Sequence, residues 1–227
     1  MTTGDTNRRR RLEVIALGVA VLVAAAAGGV FLGLSVAADP VAEPRGESSV
    51  DAGFLRDMQP HHAQAVQMSV IVRDRTADEQ VRTLALDIQL GQQHQIGQMY
   101  GRLASWGLPQ TSPAPPMVWM MTNRDSQGSG NSHAPAHESA ASATPMPGMA
   151  TAADLRRLRG LRGRDAERLY LQLMIPHHQA GVDMAEYAAE TAADPQVRLL
   201  ARRIVDAQSA EIEALRAMLA ARGGPLP

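Results

Sequence analysis

Met58-Gln59-Pro60-His61-His62 returns 116 residues later as Met174-Ile175-Pro176-His177-His178. At the same offset, without a gap, Leu55 falls on Leu171 and Val66 on Val182. Asp78-Glu79-Gln80-Val81-Arg82 falls on Asp194-Pro195-Gln196-Val197-Arg198, and Leu84-Ala85 on Leu200-Ala201. Ile88, Gln92 and Ile96 meet Ile204, Gln208 and Ile212. One register held over so many positions marks an internal duplication, with a period far longer than that of solenoid repeats. Four of the seven histidines lie in the two pairs, and each pair is framed by methionines: Met58 and Met68 in the first copy, Met174 and Met184 in the second. Imidazole and thioether together form a soft-metal ligand set.

Working outward from each pair, Phe54, Met58, Ala65, Met68 and Val72 recur at three- and four-residue steps, which predicts a helix from about 51 to 73 that carries the histidines on its apolar face. Asp78 is suited to cap a second helix over 79–105, and its counterpart Asp194 precedes Pro195, the favoured first-turn proline, ahead of a helix over 195–221. The second copy's first helix is expected from about 165 to 191, and Thr151 with Asp154 starts a short helix before it. Each copy is therefore an αα-hairpin. One hairpin cannot bury its own stripe, whereas two related hairpins close a four-helix bundle, so the fold class is all-α: a first hairpin over 51–108 and a second over 151–227. Pro60 and Pro176 lie inside helices and predict a kink beside each histidine pair. Adjacent histidines diverge by about 100° around a helix, so one of each pair should face the bundle centre and the other an adjoining helix.

Before the bundle, residues 1–11 are a basic tail with arginine at every position from 8 to 11, and 14–38 contain no charge. A helix needs about 20 apolar residues to cross a bilayer, so 12–38 is expected to be a transmembrane signal-anchor, with the amino terminus cytoplasmic and the rest outside. A cleaved signal peptide is the alternative, disfavoured because secretory apolar cores run to about 7–15 residues. Residues 39–50 read as a polar spacer.

Cysteine and lysine are both absent, so thiolate sites and disulfides are excluded, and histidine, methionine and carboxylates remain as metal ligands. A net charge of −1 gives no basis for nucleic-acid binding. Residues 109–150 are rich in Pro, Ser, Gly and Ala, lack periodicity and read as a linker without structure of its own. Met117, Met120, Met121, His133, His137, Met146 and Met149 fall in that linker and, with His94, are possible accessory metal ligands. The principal candidates are His61, His62, His177, His178, Met58, Met68, Met174 and Met184. No histidine has a glutamate three residues before it, as a dinuclear carboxylate site requires, and no nucleophile constellation stands out, so no catalytic residue is assigned.

The motifs Met58-Gln59-Pro60-His61-His62-Ala63-Gln64-Ala65-Val66 and Met174-Ile175-Pro176-His177-His178-Gln179-Ala180 resemble the signature of the domain-of-unknown-function 305 family, and the likeness extends over about 51–219 apart from the linker. The resemblance implies a ferritin-like four-helix bundle and, as for some members, extracytoplasmic copper binding. Neutral imidazole suits both copper oxidation states, and thioether favours Cu(I). The leading expectation is thus a membrane-anchored copper-binding protein without enzymatic activity. A structural or accessory module of a membrane complex is the alternative, and a ferritin-like redox enzyme is less favoured. The two second helices differ where Gln95 stands against Glu211 and His94 against Ala210.

Overall fold

Ser49 begins the ordered bundle by accepting a hydrogen bond from the Ala52 amide at 3.2 Å, which satisfies one of the free donors of the first helical turn. In the computed structural model, which describes residues 46–121 and 146–227, α1 then runs over Val50–Arg73 and α2 over Glu79–Ser105. A 3₁₀ turn follows at Val118–Met120, and after the second described stretch begins come α3 (Ala152–Gly160), α4 (Gly163–Thr191) and α5 (Pro195–Ala221). No strand occurs among the described residues. The anticipated transmembrane segment, 12–38, lies outside them, and no described helix is long and apolar enough to cross a membrane.

The capping residues perform as their chemistry dictates. Asp78 accepts from the Val81 amide at 3.0 Å, Asp194 from the Gln196 and Val197 amides, and Thr151 forms a reciprocal capping box with Asp154. Both α1 and α4 continue through their internal prolines.

α1 packs on α2 and α4 on α5, and the two hairpins meet through α1 against α4. Two apolar clusters fill the interior. One gathers Phe54, Met58, Met99, Met184 and Ile204, and the other Met68, Ile88, Leu169, Met174 and Leu215. A pseudo-twofold relation governs the ends as well. The Arg82 guanidinium donates to the carbonyls of Arg73 and Thr76, and its counterpart Arg198 donates to those of Ala192 and Ala193. Buried Asp51 reaches across to the turn of the second hairpin and accepts from the Ala193 and Asp194 amides at 3.0 and 2.7 Å. Its counterpart Glu167 reaches the first hairpin's turn, accepting from Thr76 Oγ1 at 2.5 Å and from Arg222 Nε at 2.7 Å, while Arg222 also pairs with Asp78 at 2.7 Å. An acidic residue at the start of each hairpin thus clasps the turn of the other.

The expectation of a structureless linker over 109–150 is corrected at both its ends. Trp119 is only 3% exposed, lies edge-on to Phe54 at 5.9 Å and near Tyr187 at 5.7 Å, and donates its indole N–H to Asp57 at 2.8 Å. A single indole buries enough area to fix a segment whose average composition reads as disordered. The returning end, 146–150, also packs on the bundle, as its contacts below establish.

The Asp51 clasp is testable. Asp51→Ala leaves two buried amides unpaired and should cost about 1–3 kcal/mol. Urea unfolding of the variant measures it, and a midpoint unchanged from wild type would mean that water satisfies those amides equally well.

Candidate metal centre

Where α1 crosses α4, His61 and His177 stack with ring centroids 3.9 Å apart and an interplanar angle of 32°. Both are fully buried, and none of their four ring nitrogens has a side-chain hydrogen-bond partner, the backbone of Pro147 acting on the His61 ring and that of His61 on the His177 ring. The neighbouring histidines turn outward, as the 100° step requires, each onto the second helix of its own hairpin. His62 Nε2 meets Gln95 Oε1 at 2.7 Å, and His178 Nε2 meets Glu211 Oε2 at 2.7 Å. A neutral ring that donates from Nε2 carries its lone pair on Nδ1, and Nδ1 of both rings is without a partner inside the protein. Gln95 and Glu211, where the two second helices differ, are equivalent partners of equivalent histidines.

The electrostatics favour neutral rings. Burial, reinforced by the proximity of His178, pushes His61 down to about 4, against a weaker pull from the Pro147 carbonyl. Burial and His61 push His62 down to about 3, and burial with His61 beside it holds His177 well below the ordinary imidazole value. His61, His62 and His177 are therefore in the form that can ligate at neutral pH.

The four framing methionines are fully buried, but they do not gather copy by copy as the sequence suggested. Met58 joins Met184 in one apolar cluster and Met68 joins Met174 in the other, so each cluster receives one of these framing thioethers from each repeat. The antiparallel crossing of α1 and α4 causes this exchange. Among the described residues no three histidine, aspartate or glutamate side chains converge as a preformed metal site. The stacking explains why. Two imidazoles bound to one ion from opposite sides stand about 6 Å apart between centroids, given metal–nitrogen bonds of about 2 Å. His61 and His177 must swing apart before they share an ion. The donors present nevertheless fit copper chemically, being neutral imidazoles with free nitrogens in an interior supplied with thioethers.

Of the accessory candidates, His94 is exposed, bonds Gln98 on its own helix at 2.7 Å and takes no part in the centre. Met117, Met120 and Met146 pack against the Phe54 cluster, Met121 is 63% exposed, and Met149 is half-buried. His133 and His137 lie outside the described residues. Sequence reasoning missed the strap formed by 146–150. Gln64 fastens it by donating to the Ala150 carbonyl at 2.9 Å and accepting from the Ala150 amide at 2.7 Å. Gly148, at φ +74°, lies so close to the Pro176 carbonyl and the His177 backbone that a Cβ has no room. The strap thus packs directly beside Pro176. It also missed Gln92 and Gln208, 3% and 1% exposed, whose side-chain amides have no partner. The signal for both was their coincidence at the repeat offset.

Comparison with known proteins agrees with this architecture. A DUF305 protein of Streptomyces coelicolor, known from its crystal structure, is 43% identical, with a TM-score of 0.68 over 80% of this chain and 99% of that one. CopM in its Cu(I)-bound form is 23% identical, with a TM-score of 0.53 over 74% of this chain and 93% of that one, a likeness of fold. An uncharacterized protein of Acanthamoeba polyphaga mimivirus, L153, is 41% identical over 49 residues, 22% of this chain, and the match spans about a third (32%) of its length. The family model for the domain of unknown function DUF305 matches residues 51–219, which takes in both hairpins and both histidine pairs, and the chain belongs to that family.

Proposed function

We propose that this chain binds copper outside the cytoplasm, without catalysing a reaction, through one centre shared by the two hairpins and built on His61 and His177. The observation that carries the reading is the pair of buried imidazoles, held neutral, whose four ring nitrogens no side chain satisfies. An unpaired buried polar group costs about 1–3 kcal/mol, so a fold that retains several at one crossing, in equivalent positions of two repeats, is arranged around something that satisfies them. CopM, which shares the fold, is known in Cu(I)-bound, Cu(II)-bound and Ag-bound forms, and this supports a soft ion of the copper kind. His62 and His178, oriented by Gln95 and Glu211, present Nδ1 as further donors, and the mixed methionine pairs supply thioether sulfur suited to Cu(I). When bound, the ion would be held by these side chains and shielded by the 146–150 strap. In this proposal residues 12–38 tether the domain to the membrane, which cell fractionation tests: the full-length chain should sediment with membranes, and recovery of a soluble form beginning near 38 or 39 would establish cleavage instead.

A shared centre makes a stoichiometric prediction. Titration of the full-length chain with Cu(I) against a chromogenic chelator should give one tight equivalent. His61→Ala and His177→Ala should each weaken it by at least about tenfold, a typical scale for a lost ligand interaction of 1.4 kcal/mol or more. His94→Ala should leave it unchanged. Wild-type affinity in a variant lacking all four paired histidines would refute copper binding at this motif.

The depressed histidine values also predict acid lability of the metal-free fold. The unfolded chain takes up protons near the ordinary imidazole value of 6.5 while folded His61 resists until about 4. The contribution is thus complete above 6.5 and is lost as pH falls toward 4, on the order of 3 kcal/mol for this residue. The melting temperature of the metal-free protein, followed by circular dichroism, should fall across that window, and a flat profile would contradict the burial of neutral rings.

A further inference from the structure

Each outward histidine has a side-chain partner on the second helix of its hairpin, and each inward histidine has none. One helical turn before those partners, on the same faces of α2 and α5, stand Gln92 and Gln208. Both are almost wholly buried, and both amide atoms of each are unpaired. Gln208 presses its carboxamide against Gly181, one turn beyond His177 on α4 and on the same face, where any Cβ would collide with it. The unmet needs match: a neutral imidazole offers one donor and one acceptor, and so does a carboxamide oxygen and nitrogen.

We infer that Gln92 and Gln208 are positioning residues for the inner pair: when His61 and His177 swing out of their stack to share an ion, their remote ring N–H groups are received by these two carboxamides. Stacked rings with centroids 3.9 Å apart cannot ligate one ion from opposite sides, so they must turn. A ligating histidine almost always donates its other N–H to a second group, and the two orphaned glutamines stand where Gln95 and Glu211 would be if moved one turn along each helix. In the metal-free protein the carboxamides are a cost held in reserve; in the loaded protein they fix the tautomer and angle of the rings. This assignment rests on the copper reading above and makes a separate claim about which residues tune it.

The test sets affinity against stability. In the full-length chain carrying Gln92→Leu and Gln208→Leu, removal of buried unpaired amides should leave the metal-free melting temperature equal to or above that of wild type. Cu(I) affinity should fall about 10- to 100-fold, the usual penalty for losing a group that orients a ligand. Affinity within twofold of wild type overturns the inference, and so does a parallel fall in both quantities, which would mark the glutamines as packing residues. A readout on unaltered protein guards against a variant that fails to fold. In ¹⁵N-resolved spectra, Cu(I) should bring ring N–H signals of His61 and His177 into slow exchange with cross-peaks to the Gln92 and Gln208 side chains, and their absence in a loaded sample also overturns it. Wild type that binds no Cu(I) refutes the copper reading itself, and the glutamine assignment with it. Wild type that binds while the glutamine arms fail refutes the glutamine assignment alone.

Discussion

Everything in the bundle is arranged about a contact that a stable core would avoid: two buried imidazoles stacked 3.9 Å apart with no side-chain partner for any of their nitrogens. The contact exists because α1 and α4 cross at equivalent points of a duplicated hairpin, so whatever one repeat places on its inner face meets its own copy. Hydrophobic burial on either side holds the crossing in place. The Phe54 cluster packs one end and the Leu169 cluster the other, and the Asp51 and Glu167 clasps tie each hairpin's start to the other's turn. The apolar ends carry the cost of the polar middle.

That division explains which parts of the molecule a reader of the sequence can find. The helices are legible because their signals are local: Asp78, Asp194 with Pro195, and Thr151 with Asp154 are caps acting over three residues, and their helices begin where these residues say. The histidines are legible because the repeat doubles a rare pair. The methionine arrangement is not, because Met58 comes into one cluster with Met184 and Met68 into the other with Met174 only through the antiparallel crossing, which no spacing within a repeat encodes. His94 misleads for the converse reason: it stands near Gln95 in sequence but one step around the helix on the exposed face. The linker ends fail for a third reason. Trp119 and Gly148 each act through one contact with a distant helix, and an average over forty residues cannot register either.

Duplication also supplies a standard against which departures gain meaning. At most core positions the copies agree in kind, so the differences mark where the halves have divided their work. Gln95 against Glu211 changes a carboxamide for a carboxylate while keeping a 2.7 Å bond to the outer histidine. The carboxylate can only accept, whereas the carboxamide carries both an acceptor and a donor.

The sharpest departure is Gln64 against Ala180. Gln64 uses both ends of its amide to hold Ala150, while Ala180 lies beneath Gly148 and contributes clearance. Had both copies kept glutamine, the second would fill the space that the strap occupies; had both kept alanine, nothing would fasten it. The strap spans the histidine layer, with Met146 against the Phe54 cluster and Ala150 against the other. A twofold bundle would expose its inner histidines equally on two opposite sides, and closing one of them requires breaking the symmetry by a residue that grips and a residue that yields. The linker between the hairpins is therefore more than a tether: its returning end becomes part of the wall around the paired imidazoles, and the two repeats could no longer exchange roles.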